Sequence, residues 1–237
     1  MKGYFITGTD TEIGKTHASV SLINHLANSG HRVAGLKPIA SGCELVNGQL
    51  RNDDALKLMQ AANVELEYSQ ANRYAFEPPV SPHMAAADKG IVISADLIKA
   101  DVEHACGLAD ICIVEAVGGW KVPLGLSNAP LGSSDKSENL DVEQLALYLG
   151  LPVILIVGIK LGCINHALLS IEKIQGSGAR LAGWVANCCD PATDRPEDQI
   201  DSIRARTSAP LLCTLPFHSA SNSADQLPDK WSLPELE

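Results

Sequence analysis

A lysine and a threonine near the start of the chain follow a glycine-bounded loop, an arrangement suited to binding phosphate. The loop and the following helix start are Gly8–Thr16 (GTDTEIGKT), preceded by the short apolar run Tyr4–Ile6. A loop between a buried strand and a helix directs backbone N–H groups at an anion, and the helix dipole adds to the attraction. Lys15 would reach the β- and γ-phosphates of a nucleoside triphosphate, and the Thr16 hydroxyl would bind Mg²⁺.

The loop is one residue longer than the usual phosphate-binding pattern, G-x-x-x-x-G-K-[ST]. That pattern places glycine at position 9, where this chain has Thr9, and the nearest glycine is Gly8. On this stretch alone, the alternative is an ordinary glycine-rich turn before a core helix.

Charged and hydroxyl side chains also lie at the ends of two other apolar runs. Lys37 lies near the end of Val33–Ile39, with Ser41 just beyond it, and Glu115 ends Asp110–Glu115. Ligands of open α/β sheets collect at the carboxyl ends of the strands, so we expect these residues near the phosphate loop. A carboxylate there has the position of a Mg²⁺-binding acid. Solvated side chains at strand ends are the alternative.

A pair of acids, Asp53 and Asp54, begins the helical run Ala55–Asn63. Acids in the first turn favour the helix dipole, and Asn52 before them can cap the helix. One of the two carboxylates can instead point back to Mg²⁺ beside Thr16. The sequence leaves both interpretations open.

The elements that would position these residues alternate between strand and helix along the chain. Apolar runs predict strands at 4–6, 33–39, 110–115, 152–158, 181–187 and 209–215. Helical patterns begin at Thr16 and cover 55–63, 141–150 and 167–175, and residues 91–107 predict a strand followed by a helix. This alternation predicts one three-layer α/β domain over residues 1–237, with a mainly parallel sheet flanked by helices and its site at the carboxyl edge.

Four stretches lack such periodicity. We expect a loop at 43–51 and an irregular, binding-type connection at 70–90, which has three prolines. Residues 121–140 are interpreted as a flexible segment over the site, able to act as a lid. From about residue 219 we expect a loosely ordered tail.

Composition narrows the class of protein. The net charge of −10 over 237 residues argues against a nucleic-acid-binding surface. None of the seven cysteines has a zinc-ligand spacing. No apolar run has transmembrane length and no leader-like segment precedes the first strand, so we expect a cytoplasmic protein with reduced thiols.

Taken in order, these motifs resemble those of the dethiobiotin synthetase family of biotin biosynthesis. The family's opening signature is G-T-D-T-[ED]-[IV]-G-K-T, which accounts for the long loop. Similar segments are GLKPIASG at 35–42, NDDA at 52–55, SPH at 81–83, the acid-plus-GGW segment at 115–120, VGIKLGCINHALL at 157–169 and GWVAN at 183–187. Together they run through about nine-tenths of the chain and are highly specific.

The resemblance implies a P-loop NTPase fold and an ATP- and Mg²⁺-dependent cyclo-ligase. Its substrates would be 7,8-diaminononanoate, CO₂ and ATP, and its product the cyclic urea dethiobiotin. One substrate amine would take up CO₂ as a carbamate, whose oxygen attacks the γ-phosphate to give a carbamic-phosphoric anhydride. The second amine would then close the ring and expel phosphate.

The resemblance also implies roles for residues in the matched motifs. The catalytic residues would be Lys15 and Lys37, and the Mg²⁺ ligands Thr16, Asp54 and Glu115. The nucleotide contacts would be Glu12, Ile13, Gly14, Lys15, Thr16, His17, Asp54, Glu115, Ala116, Val117, Gly118, Asn187, Cys188, Pro216, Phe217 and His218, with Asn187 reading the adenine. The substrate contacts would be Thr11, Lys37, Ser41, Gly162, Cys163, Ile164 and Asn165.

The family resemblance further implies a homodimer. The partner subunit would supply the 160–165 turn and helix start to the substrate's carboxylate, because a helix N-terminus suits an anion. The chain departs from the family in having Ala116 directly after Glu115, where relatives more often have glycine. The segment 124–140 and the tail after His218 match poorly.

Three other functions fit the residues less well. A partitioning or septum-site switch ATPase carries a second lysine early in the loop, as K-G-G-x-x-K, where this chain has Thr9–Glu12. A cobyrinate-type amidotransferase needs an additional glutamine-hydrolysing domain, for which we expect this chain to be too short. A nucleotide-binding protein without turnover is not favoured, since Lys15, Lys37 and Glu115 are all present.

Overall fold

A computed structural model describes residues 1–125, 140–217 and 231–234 of the chain. Its strands are β1 (Gly3–Gly8), β2 (Val33–Leu36), β3 (Ile39–Ala40), β4 (Glu44–Val46), β5 (Gln49–Arg51), β6 (Tyr74–Ala75), β7 (Ile111–Gly119), β8 (Val153–Gly158), β9 (Leu181–Asn187) and β10 (Leu211–Leu215). Its helices are α1 (Lys15–Asn28), α2 (Asp53–Ala61), α3 (Tyr68–Ala71), α4 (Pro82–Asp88), α5 (Ala95–Leu108), α6 (Val142–Leu149), α7 (Cys163–Gly176) and α8 (Pro196–Arg204).

Six strands form one parallel sheet in the order β10-β9-β8-β1-β7-β2. The inner strands β1 and β8 are buried along their whole length, which explains their continuous apolar runs. Outside this sheet, β3 pairs with β6 in parallel and β4 pairs with β5 as an antiparallel hairpin. The predicted mainly parallel α/β architecture is confirmed.

Helices cover both faces of the sheet. On one face α1 contributes buried apolar side chains such as Leu22 and Ile23, and Leu58 of α2 joins the same cluster. On the other face α5 to α8 pack together, with Leu145 and Ile171 among the buried residues. Full burial of each such side chain stabilises the fold by about 1.5–3 kcal/mol, so the two clusters hold the sheet edge in place.

The strand register determines which side chains meet at the carboxyl edge. Strand β7 lies between β1 and β2, with Ile6 opposite Glu115 and Leu36 opposite Val114. Lys37, directly after Leu36, is therefore level with Glu115 on the neighbouring strand. The phosphate loop begins at the end of β1, on the other side of β7.

Several predicted boundaries were wrong. The predicted strand at 33–39 ends at Leu36, because Ile39–Ala40 leaves the sheet to pair with Tyr74–Ala75. Strand β7 continues through Gly119, four residues beyond the predicted end of the strand at Glu115. No strand occurs between residues 91 and 94, although the helix after it is present with Ser94 as its N-cap.

Three further differences concern short or polar elements. The expected loop at 43–51 contains the hairpin β4–β5, whose side chains are largely exposed and so give no burial pattern. Helix α4 lies within the 70–90 connection and starts at Pro82, a residue suited to a first helical turn. Helix α8 was missed because only Ile200 and Ile203 are apolar in it.

The C-terminal segment 231–234 packs against the sheet. Trp231 is buried in the same cluster as α1, and its Nε1 donates to Ser21 Oγ at 3.4 Å. The Ser232 amide donates to the Leu212 carbonyl at 2.9 Å. The expectation of a loosely ordered tail is therefore wrong for these four residues, because an indole supplies enough apolar area to anchor the chain. The rest of the tail and most of the proposed lid, 126–139, lie outside the described residues.

None of the described helices is both long enough and apolar enough to span a membrane.

Candidate active site

The phosphate loop connects β1 to α1 and has an unusual backbone path. Gly14, immediately before α1, has a φ of +82°, and Glu12 also has a positive φ of +58°. A Cβ at Gly14 would lie 2.1 Å from Asn187 Nδ2, so a side chain there would collide with β9. Both the backbone conformation and the close approach of β9 therefore require glycine at this position.

Lys15 lies almost buried at the first residue of α1. Its Nζ donates to the Asp10 carbonyl oxygen at 2.9 Å, within the loop itself. Burial lowers the pKa of Lys15 to about 8, and the neighbouring charge of Lys37 acts in the same direction. The carboxylates of Glu115 and Asp54 oppose this shift only in part. A bound phosphate would place a negative charge next to this ammonium and so stabilise its protonated form.

Lys37 lies between two carboxylates at the carboxyl edge of the sheet. Its Nζ is 2.7 Å from Glu115 Oε1 and 2.9 Å from Asp54 Oδ2. Glu115 is 0% exposed and Lys37 is 5% exposed, so their charges depend on each other. Thr16 Oγ1, in the first turn of α1, donates to the same Glu115 Oε1 at 2.8 Å.

Mutual attraction stabilises the charged forms of Lys37 and Asp54. Burial acts to lower the pKa of Lys37, but the fields and hydrogen bonds of Glu115 and Asp54 prevail and raise it. Burial likewise acts to raise the pKa of Asp54, yet Lys37 and the Thr16 hydroxyl leave it below its usual range. The site therefore holds a permanent ammonium beside two oxygen donors at neutral pH.

The two acids in the first turn of α2 have separate roles. Asn52 Oδ1 accepts from the Ala55 amide and so caps the helix. Asp53 is exposed and pairs with Lys57 one turn later, whereas Asp54 reaches Lys37. Of the two carboxylates, Asp54 is thus the one that can take part in a metal site.

The oxygen donors beside the loop fit Mg²⁺. Among the described residues, Glu115 Oε2 is buried without a hydrogen-bond partner. Within the same ranges, no group of three or more His, Cys, Asp or Glu side chains is arranged to hold a metal ion. Mg²⁺ does not require one, because it is usually held by one or two carboxylates together with phosphate oxygens and waters. Thr16, Asp54 and Glu115 form such a hard-oxygen set.

These residues line a cavity of about 710 Å³. The residues predicted from sequence that line it are Thr11, Glu12, Gly14, Lys15, Thr16, Lys37, Ser41, Asp54, Glu115, Val117 and Gly118. Ser41 Oγ is buried and has no hydrogen-bond partner among the described residues. Predicted phosphate, metal and substrate contacts thus share one cavity wall.

Five further residues of this wall were not predicted individually, although they lie in the 70–90 connection, expected to be of binding type, and in the 121–140 segment, expected over the site. Pro79, Val80, Ser81, Pro82 and Val122 also line the cavity. The SPH motif at 81–83 was the available sequence signal for this part of the wall. The motif alone does not show that these residues lie at the cavity, because tertiary contacts place them there. The 76–78 segment hydrogen-bonds along residues 40–43, which brings the following prolines to the site.

A second cavity, of about 340 Å³, contains three further predicted nucleotide contacts. Cys188, Pro216 and Phe217 line it. Its remaining lining residues, which no motif indicated, are Asp190, Pro191, Thr193, Pro196, Glu197 and Thr214. Asn187, just before Cys188, donates from Nδ2 to the Ile13 carbonyl at 2.7 Å. The amide predicted to read adenine therefore also holds the phosphate loop.

Some predicted contacts line neither cavity. They are Ile13, His17, Ala116, Asn187 and the turn and helix start Gly162, Cys163, Ile164 and Asn165. Ile13 and Ala116 are buried in the core. Residues 162–165 lie after β8, next to Leu161, which is 96% exposed. Their predicted role in a partner's site remains a prediction, and His218 lies outside the described residues.

A family model and solved structures resemble this chain at the level of the fold. A family model described as an AAA domain matches residues 2–224. A ParA family ATPase from Chlorobium tepidum has a TM-score of 0.54 at 11% identity, covering 92% of this chain and 86% of that one. The MinC:MinD complex of Aquifex aeolicus gives 0.50 at 16%, covering 92% and 82%. Identities this low indicate a shared fold alone.

Sequence relatives are much closer. The ATP-dependent dethiobiotin synthetase BioD of Pseudomonas paraeruginosa is 46% identical over 217 residues, which cover 91% of this chain and 90% of the relative. The protein of the same name from Aromatoleum aromaticum is 41% identical over 223 residues, covering 94% of each. The chain belongs to the dethiobiotin synthetase family.

Proposed function

We propose that the chain is an ATP-dependent cyclo-ligase that converts 7,8-diaminononanoate, CO₂ and ATP into dethiobiotin, ADP and phosphate. The observation that carries the proposal is the position of Lys37. Its ammonium lies between Glu115 and Asp54 in the cavity that also contains Lys15 and the phosphate loop. A cation there can serve both a carbamate and a phosphoryl group.

Carbamate formation is the first step. A substrate amine attacks the carbon of CO₂ and loses a proton, which leaves an anionic carbamate. Lys37 would stabilise this anion electrostatically, and the buried hydroxyl of Ser41 would donate a hydrogen bond to it. The hydroxyl's lack of a partner among the described residues supports this role.

Phosphoryl transfer follows. A carbamate oxygen attacks the γ-phosphorus, the bond to the β–γ bridging oxygen breaks, and ADP leaves. Such a step needs charge neutralisation and alignment more than covalent help from the protein. Lys15 and the loop N–H groups would hold the phosphates, and Lys37 would bind the transferring group. Mg²⁺, when held by Thr16, Asp54 and Glu115, would supply further positive charge.

Ring closure completes the reaction. The second amine attacks the carbonyl carbon of the carbamic-phosphoric anhydride, loses a proton and expels phosphate. The protein's contribution would be to hold this amine near the carbonyl, in the cavity between the loop and residues 79–82. No further reactant is required.

The proposed active assembly is a homodimer. A second copy would present its 160–165 turn and the start of α7 to the substrate's carboxylate. Leu161 is highly exposed, and residues 160–165 do not line the cavity, which supports an intermolecular role. Mixing a Lys37→Met chain with an Asn165→Leu chain should restore activity, because each mixed dimer keeps one intact site. Additive residual activities would contradict it.

Diamine dependence separates this ligase from a switch ATPase of the same fold. The protein is incubated with ATP, Mg²⁺ and bicarbonate, with and without 7,8-diaminononanoate, and ADP and the cyclic urea are measured by mass spectrometry. We expect ADP release that requires the diamine and equals urea formation. ADP release at the same rate with and without the diamine would identify a switch ATPase instead.

A further inference from the structure

A largely buried hydrogen-bond network connects the main chain of Lys37 to the start of α2. Asn72 Nδ2 donates to the Lys37 carbonyl oxygen at 2.6 Å, and the Tyr68 hydroxyl donates to Asn72 Oδ1 at 2.9 Å. The Asn52 amide in turn donates to the Tyr68 hydroxyl oxygen at 2.7 Å. Three bonds thus span from the residue that carries the ammonium to the N-cap of the helix that carries Asp54.

The network joins two segments that the chain itself holds together only loosely. Between Lys37 and Asp54 the chain passes through the β4–β5 hairpin, whose strands are largely exposed. Asn52 caps α2 through Ala55, so fixing Asn52 also fixes the first helical turn. Asn72 and Tyr68 thereby add a polar link between the Lys37 backbone and the first turn of α2, beside the packing of Leu58 in the core.

The network's polar groups are shielded from water and satisfied. Asn72 and Asn52 are buried and Tyr68 is half-buried, and the three bonds of 2.6–2.9 Å lie at the short end of the range for hydrogen bonds. In a low-dielectric interior such bonds are strong, and losing one partner is costly. The network can therefore hold geometry in a way that an exposed loop cannot.

We propose that Tyr68 and Asn72 are positioning residues for the reaction, which keep the Lys37 ammonium in register with the Asp54 carboxylate. This inference rests on the proposed function, in which Lys37 acts on the carbamate and the transferring phosphoryl group. Its signature is selective. Loosening the network should slow turnover far more than it weakens ATP binding, because the phosphate loop, which would supply most of the phosphate contacts, extends from β1 to α1 and shares none of these bonds.

Tyr68→Phe is the test variant, because it removes the hydroxyl and keeps the ring. Tyr74→Phe is the matched control. It makes the same chemical change six residues later, where the hydroxyl accepts from the Ser94 amide at 3.0 Å. That bond anchors the start of α5, so it contacts neither Lys37 nor α2.

We expect kcat for urea formation to fall about tenfold in Tyr68→Phe, the effect of one lost buried hydrogen bond. The KM and Kd for ATP should stay within about twofold of the wild-type values. Amide hydrogen exchange should quicken over residues 53–58 in this variant. Tyr74→Phe should keep the wild-type kcat and the wild-type exchange over 53–58, even if both variants lose similar thermal stability.

Two results would overturn the positioning role: a wild-type kcat in Tyr68→Phe, or an equal loss of kcat in both variants. Unchanged exchange over residues 53–58 in Tyr68→Phe would also overturn it, whatever the kinetics. The proposed function fails in a different way. If the wild-type chain itself makes no cyclic urea, the ligase assignment is wrong, whereas an active wild type with a normal Tyr68→Phe removes the positioning role alone.

Discussion

At the scale of single residues, the site is built around one buried ammonium. Lys37 forms ion pairs with Glu115, which is fully buried, and with Asp54 at the cavity wall. Removing only one member of a buried ion pair is costly, about 3–5 kcal/mol, since the remaining charge is left uncompensated. Lys37 is therefore expected to matter to the fold as well as to the reaction, and a test must separate the two.

Lys37→Met combined with Glu115→Gln makes that separation. The single Lys37→Met change should lower the free energy of unfolding, and the added Glu115→Gln should restore most of it by removing the unpaired charge. Urea synthesis should stay at least about 100-fold below wild type in both. Denaturant unfolding and a product assay measure these effects.

Lys57→Met is the control for this pair. Lys57 binds Asp53 on the exposed side of α2, where an ion pair contributes little. It should leave turnover and stability nearly unchanged. Wild-type turnover in Lys37→Met would remove Lys37 from the mechanism.

The lowered pKa of Lys15 predicts how ATP binding depends on pH. Burial holds the pKa of Lys15 at about 8, and only the protonated form attracts phosphate. ATP affinity should therefore be highest below pH 8 and fall by up to about tenfold per pH unit above it, until the pKa of the complex is reached. Calorimetric Kd values between pH 7 and 9.5 test this.

The effect of Lys15 on stability has the opposite sign. Its folded-state pKa lies below its unfolded value of 10.5, so its charge destabilises the ligand-free fold below pH 8. That cost is relieved as the pH rises from about 8 towards 10.5.

Lys15→Met tests the prediction for ATP binding. It should abolish the pH dependence of the Kd for ATP between pH 8 and 9.5, and an unchanged pH profile in that variant would contradict the assignment.

At the scale of elements, the phosphate loop depends on its contact with β9. Gly14→Ala would force a Cβ towards Asn187 Nδ2, whereas Gly30→Ala, at a similar φ of +91°, meets no atom within 4 Å. Each variant should lose about 1 kcal/mol of stability from backbone strain. Only Gly14→Ala should lose ATP binding, measured by calorimetry. Wild-type ATP affinity in Gly14→Ala would contradict the proposed role of this contact.

Elements with long apolar runs could be predicted from the sequence, and weaker ones could not. Strand β8, as PVILIVG, shows its burial directly, whereas α8 has two apolar residues in nine. The 70–90 connection gave no periodicity because its order comes from pairing with residues 39–43. Propensity and pattern describe local preference, and pairing between distant segments is not visible in them.

The site was predictable to the same extent. Lys15, Thr16, Lys37 and Glu115 follow from a phosphate-loop motif and from strand ends, which parallel strands bring to one edge. The Tyr68–Asn72 network carries no motif of its own, and the proline wall at 79–82 overlaps only the short SPH motif. They depend on which segments fold against the Lys37 strand.

At the scale of the whole molecule, the C-terminal segment contributes stability away from the site. Trp231 is 6% exposed and packs with Tyr4 and Leu212 on the α1 face. Trp231→Ala should lower the free energy of unfolding by about 3 kcal/mol, the cost of deleting a large buried side chain. The kcat and the KM for ATP should be unchanged. Urea denaturation measures the free energy of unfolding, and steady-state kinetics measure kcat and KM. A loss of kcat at full stability would mean that this segment acts on the site.

Oxygen transfer from CO₂ to phosphate tests the central claim most directly. The protein is given 7,8-diaminononanoate, MgATP and ¹⁸O-labelled CO₂ in a short incubation, and the urea and the released phosphate are analysed by mass spectrometry. The carbamate oxygen that attacks the γ-phosphorus stays bonded to phosphorus when ring closure expels phosphate. The account therefore predicts cyclic urea together with phosphate carrying one ¹⁸O atom. Cyclic urea accompanied by unlabelled phosphate, or no cyclic urea at all, would contradict it.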